Sequence, residues 1–343
     1  IISEVKYAKG TTDLKIIAPK PYKKDRLNFF KIDISGDTSI TKSVIRGFLQ
    51  VKKGSHYNAD GFTLPPKAVH ELKYHLKKTT FFDRLDINGD YYGIYLRSLV
   101  DTAFSLYPAI SDDAKLLTLM QTNGRHLYNF FNVPKGASSL DVDMTQINKT
   151  SLVKNITSPG TNLSVQIFGR PDKKYFNSYN LGQVTSLTSG LNYYYPQESF
   201  DEYVTEIGYT IGKSNYFFTK NTSTIPDKAD TYDAVINTPA SNLTTFKPSF
   251  SGNVDYYEAH FSDNPTPNLF VLLFAPAAAN YNNIKFPDFS KYLGVKSVDL
   301  TKQVLTYFCI YQDGTFDEKN FLYKSNGRSD YPSLNLRSVS RSY

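Results

Sequence analysis

Tryptophan is absent from the 343 residues, and there is a single cysteine, Cys309. One thiol cannot close an intrachain disulfide, which excludes a disulfide-stapled secreted module. Without tryptophan the chain lacks the largest flat platform for stacking on sugars. Long apolar runs are missing too. The longest, Leu269 to Ala279, is broken by Pro276 and is too short to span a bilayer. No Gly-x-Ser-x-Gly elbow occurs, and no Gly-rich phosphate loop opens a helix. His70 and His75 are five apart, whereas the zinc-protease pattern places its histidines four apart. Cys309 lies mid-way along an expected buried strand, where a thiol is an inert hydrophobe. The pairs Asp112-Asp113 and Asp201-Glu202 are adjacent, so their carboxyls diverge and form no dyad. These absences argue against an enzyme, a nucleotide-binding protein or a metalloprotein, and the expected cofactor is none. The chain opens Ile1-Ile2-Ser3-Glu4 without an initiator Met, so compartment is not readable from this end.

What is abundant is tyrosine and phenylalanine, 27 and 24 residues. Both favour strands, and tyrosine suits half-buried contact surfaces. Period-two alternation recurs along the chain. Phe30, Ile32 and Ile34 share one face, and Leu163–Ile167 and Thr205–Ile211 alternate in the same way. Val304–Tyr311 is apolar on both faces, as a strand between two layers should be. Asp313-Gly314 follows it, a hairpin dipeptide leading to Asn320–Tyr323. Further strands are expected at Leu14–Ala18, Val44–Val51, Tyr216–Thr219, Val254–Phe261 and Leu269–Phe274. Residues 66–122 read differently, as three helices. Lys67–Lys78 follows Pro65-Pro66, and Tyr95–Leu106 places Leu96, Leu99, Val100 and Ala103 on one stripe. Ala114–Met120 is capped by Ser111 and ended by Asn123-Gly124. The boundary Ser158-Pro159-Gly160 divides the chain almost equally. The expected fold is therefore mainly β: two β-sandwich, jelly-roll-like domains with a helical insertion around 66–122. The first, 1–158, carries the helices and a basic segment; the second, 161–343, is a β-sandwich.

Three groups of residues are candidate sites. Asp86-Ile87-Asn88-Gly89-Asp90 sets oxygens at alternate positions, as a calcium loop does. Tyr91 stands where that loop needs glycine and Arg97 where it needs a carboxylate, so Asp86, Asn88 and Asp90 are weak metal candidates and a polar turn is the simpler reading. The clusters Tyr193-Tyr194-Tyr195-Pro196 and Tyr256-Tyr257 suit strand packing, a protein interface or stacking on a sugar. The third group follows from charge. Residues 1–78 hold 16 Lys+Arg against 7 Asp+Glu, and the rest of the chain 23 against 25. Lys20, Tyr22, Lys23, Lys24 and Arg26 form a basic, aromatic segment that suits an arm contacting a partner surface. A solvated basic face is the plainer reading.

Asn264-Pro265-Thr266-Pro267-Asn268 leads into Leu269–Ala275 and Pro276, a proline-flanked buried strand late in the chain. With short strands, long Tyr/Asn/Pro loops and two similar halves, this layout resembles viral jelly-roll capsid proteins of the double jelly-roll type. The resemblance is architectural and implies a self-assembling virion component whose sides pack against copies of itself. The basic N-terminal segment would then meet a neighbour, another virion protein, a membrane or the genome. The expected location is the virion. Two alternatives stay open: a bacterial cell-surface or extracellular β-sandwich that binds glycans or other ligands, and a glycoside hydrolase with a site scattered along the chain.

Overall fold

A computed structural model describes residues 26–35, 42–55, 71–88, 93–96, 103–106, 115–171, 178–263, 269–278, 286–293, 298–314, 316–318 and 335–343. These residues are mainly β. The chain begins with β1 (Arg26–Ser35), β2 (Lys42–Lys52), β3 (Leu72–Lys77), β4 (Arg84–Asn88), β5 (Gly93–Leu96), β6 (Ala103–Leu106), β7 (Lys115–Thr122) and β8 (Arg125–Asn132). It continues through β9 (Ser139–Asp143), β10 (Lys149–Thr150), β11 (Leu152–Thr157), β12 (Thr161–Arg170), β13 (Tyr179–Ser186), β14 (Gly190–Tyr195), β15 (Glu202–Ile211) and β16 (Ser214–Thr222). After β17 (Val235–Ile236) and β18 (Phe250–Ser251) come β19 (Tyr256–Asp263), β20 (Leu269–Pro276), β21 (Gln303–Asp313) and β22 (Asn335–Ser342). The short α1 (Ser290–Leu293) precedes β21.

The expected alternation produces a ten-stranded sheet in the order β1-β2-β20-β19-β21-β22-β16-β15-β12-β13. Every pairing in it is antiparallel except β2 with β20, where Ser43 to Phe48 run alongside Leu269 to Phe274. One face of the sheet buries two adjoining cores. Ile45, Leu49, Ala259, Phe261, Val271, Leu273, Phe308, Ile310 and Val339 build the first, beneath β17–β18 and the chain around Tyr232 to Phe246. Leu163, Val165, Ile167, Ile207, Tyr209 and Phe218 build the second, beneath Ile156, Leu191 and Tyr193 of the β11–β14 ribbon. Tyr216, stacked on Tyr209 at 5.2 Å, packs against both cores. Each large side chain buried here contributes about 1.5–3 kcal/mol by leaving water.

Strands β12 and β15, and strands β16 and β22, are tied by ions as well as by ladders. Arg170 Nη1 donates to Glu202 Oε2 at 3.0 Å across the β12–β15 pair, and both side chains are largely buried. Asp230 Oδ2 accepts from Arg337 Nη2 at 3.1 Å and Lys220 Nζ at 3.3 Å, linking β22 to β16.

The helical expectation for 66–122 is corrected. Its described residues are β3 to β7, not helices. In β3, Leu72, Tyr74 and Leu76 are buried while Lys73 and Lys77 are exposed, a period of two. Strand β7 has apolar contacts on both faces: Leu116 and Met120 join a third core with Leu72, Leu85 and Leu127, while Leu117 joins the second. A run buried on both sides loses its alternation, so it imitates a helix in sequence. Asn123-Gly124, read as a helix end, closes the β7–β8 hairpin instead. Its φ angles of 47° and 72° are those of a two-residue turn of the type that asparagine and glycine favour. Strands β10-β8-β7-β4-β5 make a five-stranded sheet, and β6-β3-β9 a three-stranded one.

Ser158-Pro159-Gly160 forms the turn between β11 and β12, and the ten-stranded sheet takes strands from both sides of it. A Cβ on Gly160 would stand 2.2 Å from the Thr210 carbonyl oxygen, so this close approach admits only glycine. The antiparallel neighbour that follows β21 in the chain is β22. The expected strands Asn320–Tyr323 and Leu14–Ala18 lie outside the described residues.

Candidate functional site

The larger of two cavities among the described residues lies where β4 and β5 face β13. Alternation along β4 turns Leu85 and Ile87 into the third core. The same alternation puts Arg84, Asp86 and Asn88 on the opposite face. Asp86 pairs directly with Tyr95 of β5, so the Tyr95 ring stands on that face too. Across from them, β13 offers Asn180, Gln183 and Thr185. A bulge in the β12–β13 register between Gln166 and Phe168 re-aims this part of β13, and Asn180 Oδ1 steadies it by accepting from Gly182 N at 2.9 Å. Together these residues line a cleft of about 490 Å³. That is within the ~300–1,000 Å³ usual for small-ligand sites.

The cleft is polar but electrically balanced. Arg84 Nε donates to Asp86 Oδ2 at 2.7 Å and Arg84 Nη2 to Asp86 Oδ1 at 3.1 Å, a two-point pair. The guanidinium carbon also lies 5.0 Å from the centre of the Tyr95 ring. Arg84 Nη1 reaches the Gln183 carbonyl at 3.4 Å, joining the two walls. Beneath the β13 wall, Tyr193 is fully buried and donates its hydroxyl to the Gly182 carbonyl at 2.8 Å. Burial pushes the Tyr193 phenol well above its ordinary pKa, so it stays a neutral donor.

The sequence candidates meet this geometry unevenly. Asp86 and Asn88 line the cleft, and Tyr193 supports it from behind. As a calcium ligand Asp86 would have to give up Arg84, which holds both its oxygens. Among the described residues no group of three His, Cys, Asp or Glu side chains is placed to hold a metal. Asp90, Lys20, Tyr22, Lys23 and Lys24 lie outside the described residues. Arg26 is paired with Glu318 and donates from Nη1 to the Gln50 carbonyl at 2.9 Å. The three consecutive tyrosines part ways. Tyr193 is core, Tyr194 stacks on His126 at 3.5 Å, and Tyr195 lines a separate cavity of about 300 Å³ with Leu152, Phe200 and Tyr203. Tyr256 and Tyr257 are buried, Tyr256 against Tyr311 at 4.7 Å. Burial pushes the Cys309 thiol up to about 12, which leaves it protonated at neutral pH.

Arg84, Tyr95, Asn180, Gln183 and Thr185 went unnoticed in the sequence. The polar alternation Arg84-x-Asp86-x-Asn88 against Leu85 and Ile87 is the signal that marks half of the site. Comparisons with family models, curated proteins and solved structures give no match.

Proposed function

We propose that the chain is a structural, self-associating β protein, a component of a virion shell, and that its partners are first of all copies of itself. The observation that carries this reading is the reach of the ten-stranded sheet, which among the described residues ends on the long strand β1. β1 is ten residues long, it is regular against β2 from Phe29 to Ser35, and among the described residues no strand pairs with its other side. A long regular strand at the end of a sheet is the place where a strand of another copy would extend it. Phe29 and Phe30 anchor the edge from within, stacked on Phe48 at 6.0 Å and edge-on to Phe289 at 5.6 Å. The strand can therefore accept a neighbour without losing its place.

The finer reading of the architecture is two jelly-roll-like sandwich halves joined edge to edge. The two cores beneath one sheet, each with its own cover, support it. Catalysis has no part in this reading. Its mechanism is packing, with several modest interfaces adding up across a closed assembly. Size-exclusion chromatography with light scattering, over a range of concentration and salt, tests it. An oligomer that grows with concentration is expected, and a strict monomer throughout contradicts it.

A further inference from the structure

The geometry points to a second capability: we infer that the cleft between β4–β5 and β13 binds a neutral sugar. The inference stands on the cleft alone and holds whether or not the chain assembles.

Charge selects the ligand class first. Among the described residues lining the cleft, Arg84 and Asp86 are the two that carry formal charge, and they neutralise each other at two points. A phosphate or sulfate would compete with Asp86 for the guanidinium, and a metal ion would compete with Arg84 for the carboxylate. A neutral polyol does neither. It adds hydrogen bonds to the outward sides of a pair that is already formed. Side-chain chemistry then narrows the choice. Asn88, Asn180 and Gln183 bring planar amides, each able to donate and accept at once. Adjacent ring hydroxyls of a sugar also donate and accept at once, with a spacing that suits such two-point groups. Tyr95 adds a ring that is 48% exposed with the Arg84 guanidinium over it, so a pyranose can rest beside the guanidinium against the exposed part of the ring. A purely apolar ligand would leave these amides desolvated without partners.

The site is also built to hold its shape. Arg84 is fixed by Asp86, by the Tyr95 ring and by the Gln183 carbonyl, and Gly182 by Tyr193 and Asn180. Walls that are ordered beforehand lose little entropy on binding.

The full chain, applied to a printed array of neutral and anionic oligosaccharides with and without a calcium chelator, tests the proposal. Retention of neutral glycans, unchanged by the chelator, is expected. Titration with the best-retained oligosaccharide should show Tyr95→Ala and Gln183→Ala each weakening binding by about tenfold or more, the size of one well-made contact. Melting temperature should not change, since both side chains are exposed. Tyr194→Ala, outside the cleft, should bind as the unaltered chain does. No neutral glycan retained, retention of anionic glycans alone, loss of binding with the chelator, or full binding by both cleft variants would each overturn it.

Discussion

At one end of the ten-stranded sheet two carbonyls of β13 accept from side chains of other strands. Tyr193 donates to the Gly182 carbonyl and Arg84 to that of Gln183, and a bulge bends the strand beside them. At the other end β1 runs regular from Phe29 to Ser35, with a strand on one side among the described residues. Both ends are built on the same alternation and both are backed by aromatic rings. The difference is what meets the rim. Side chains from β4 and β14 close the β13 rim and leave a cleft against it, so this end is suited to a small ligand. At the β1 end, under the proposed reading, a strand of another copy would extend the sheet.

That contrast can be tested by damaging either end. The largest effect should come from alkali, which attacks the whole sheet. Burial raises the pKa of Tyr74, Tyr193, Tyr256, Tyr257 and Tyr311, so the folded state keeps these phenols protonated while the unfolded chain ionises near its usual value. Their contribution is fully present below about pH 10 and is lost as pH rises beyond it. Tyrosinate absorbance should therefore rise in two stages, the exposed phenols first and the buried ones in one step with loss of circular dichroism. Ionisation of all the tyrosines with the fold intact would mean that these rings are not core.

Next in size is Tyr193→Ala, which removes a fully buried ring and uncovers the β13 rim. It should cost about 3–5 kcal/mol in urea denaturation. Tyr193→Phe keeps the ring and loses the cap on Gly182, for about 1 kcal/mol. If both cost the same, the hydroxyl and not the packing holds this end. Glu202→Ala removes a charged hydrogen-bond partner of the buried Arg170 at the β12–β15 pair, and about 2 kcal/mol is expected, again by urea denaturation.

Acid should act more gently, at mid-sheet. Burial pushes the Asp230 carboxyl up, but Arg337 and Lys220 outweigh it and hold the group below the usual carboxylate range. The stability it adds is present above the ordinary carboxylate value of about 4 and fades as pH falls through the folded value. Asp230→Asn should flatten that part of the pH profile of the urea midpoint. The smallest effect is that of Arg84→Ala. Its pair with Asp86 is partly exposed, so stability should change by about 1 kcal/mol or less in urea denaturation. Light scattering should nevertheless show more association, because the Gln183 carbonyl is then free to pair.

The sequence made one part of this legible. Alternation in Asn28–Ser35, Leu163–Ile167 and Thr205–Ile211, and the doubly apolar Val304–Tyr311, marked strands that the sheet contains. It misread β3 and β7. Pro65-Pro66 before Lys67–Lys78 imitated a helix start, and Leu116-Leu117 face two cores at once. Sheet order was out of reach, since the β2–β20 ladder joins Ser43 to Leu269 with no local signal for so distant a pairing. The cleft was half visible. Asp86 and Asn88 were noticed for their oxygens, but the partner that decides their chemistry, Arg84, reads as an ordinary surface residue. Asn180, Gln183 and Thr185 carry no motif, and only the fold brings them opposite β4. Tyr193 was noticed as a ring available to partners, and packing against the second core makes it a support instead.

The central claim is that the β1 rim is where copies meet. Hydrogen exchange of the amides in Arg26–Ser35, followed from dilute to concentrated protein alongside light scattering, tests it most directly. Protection of those amides should rise in step with oligomer mass, while Tyr179–Ser186 stays unchanged. An oligomer that forms with β1 amides exchanging as fast as in the monomer would contradict the account.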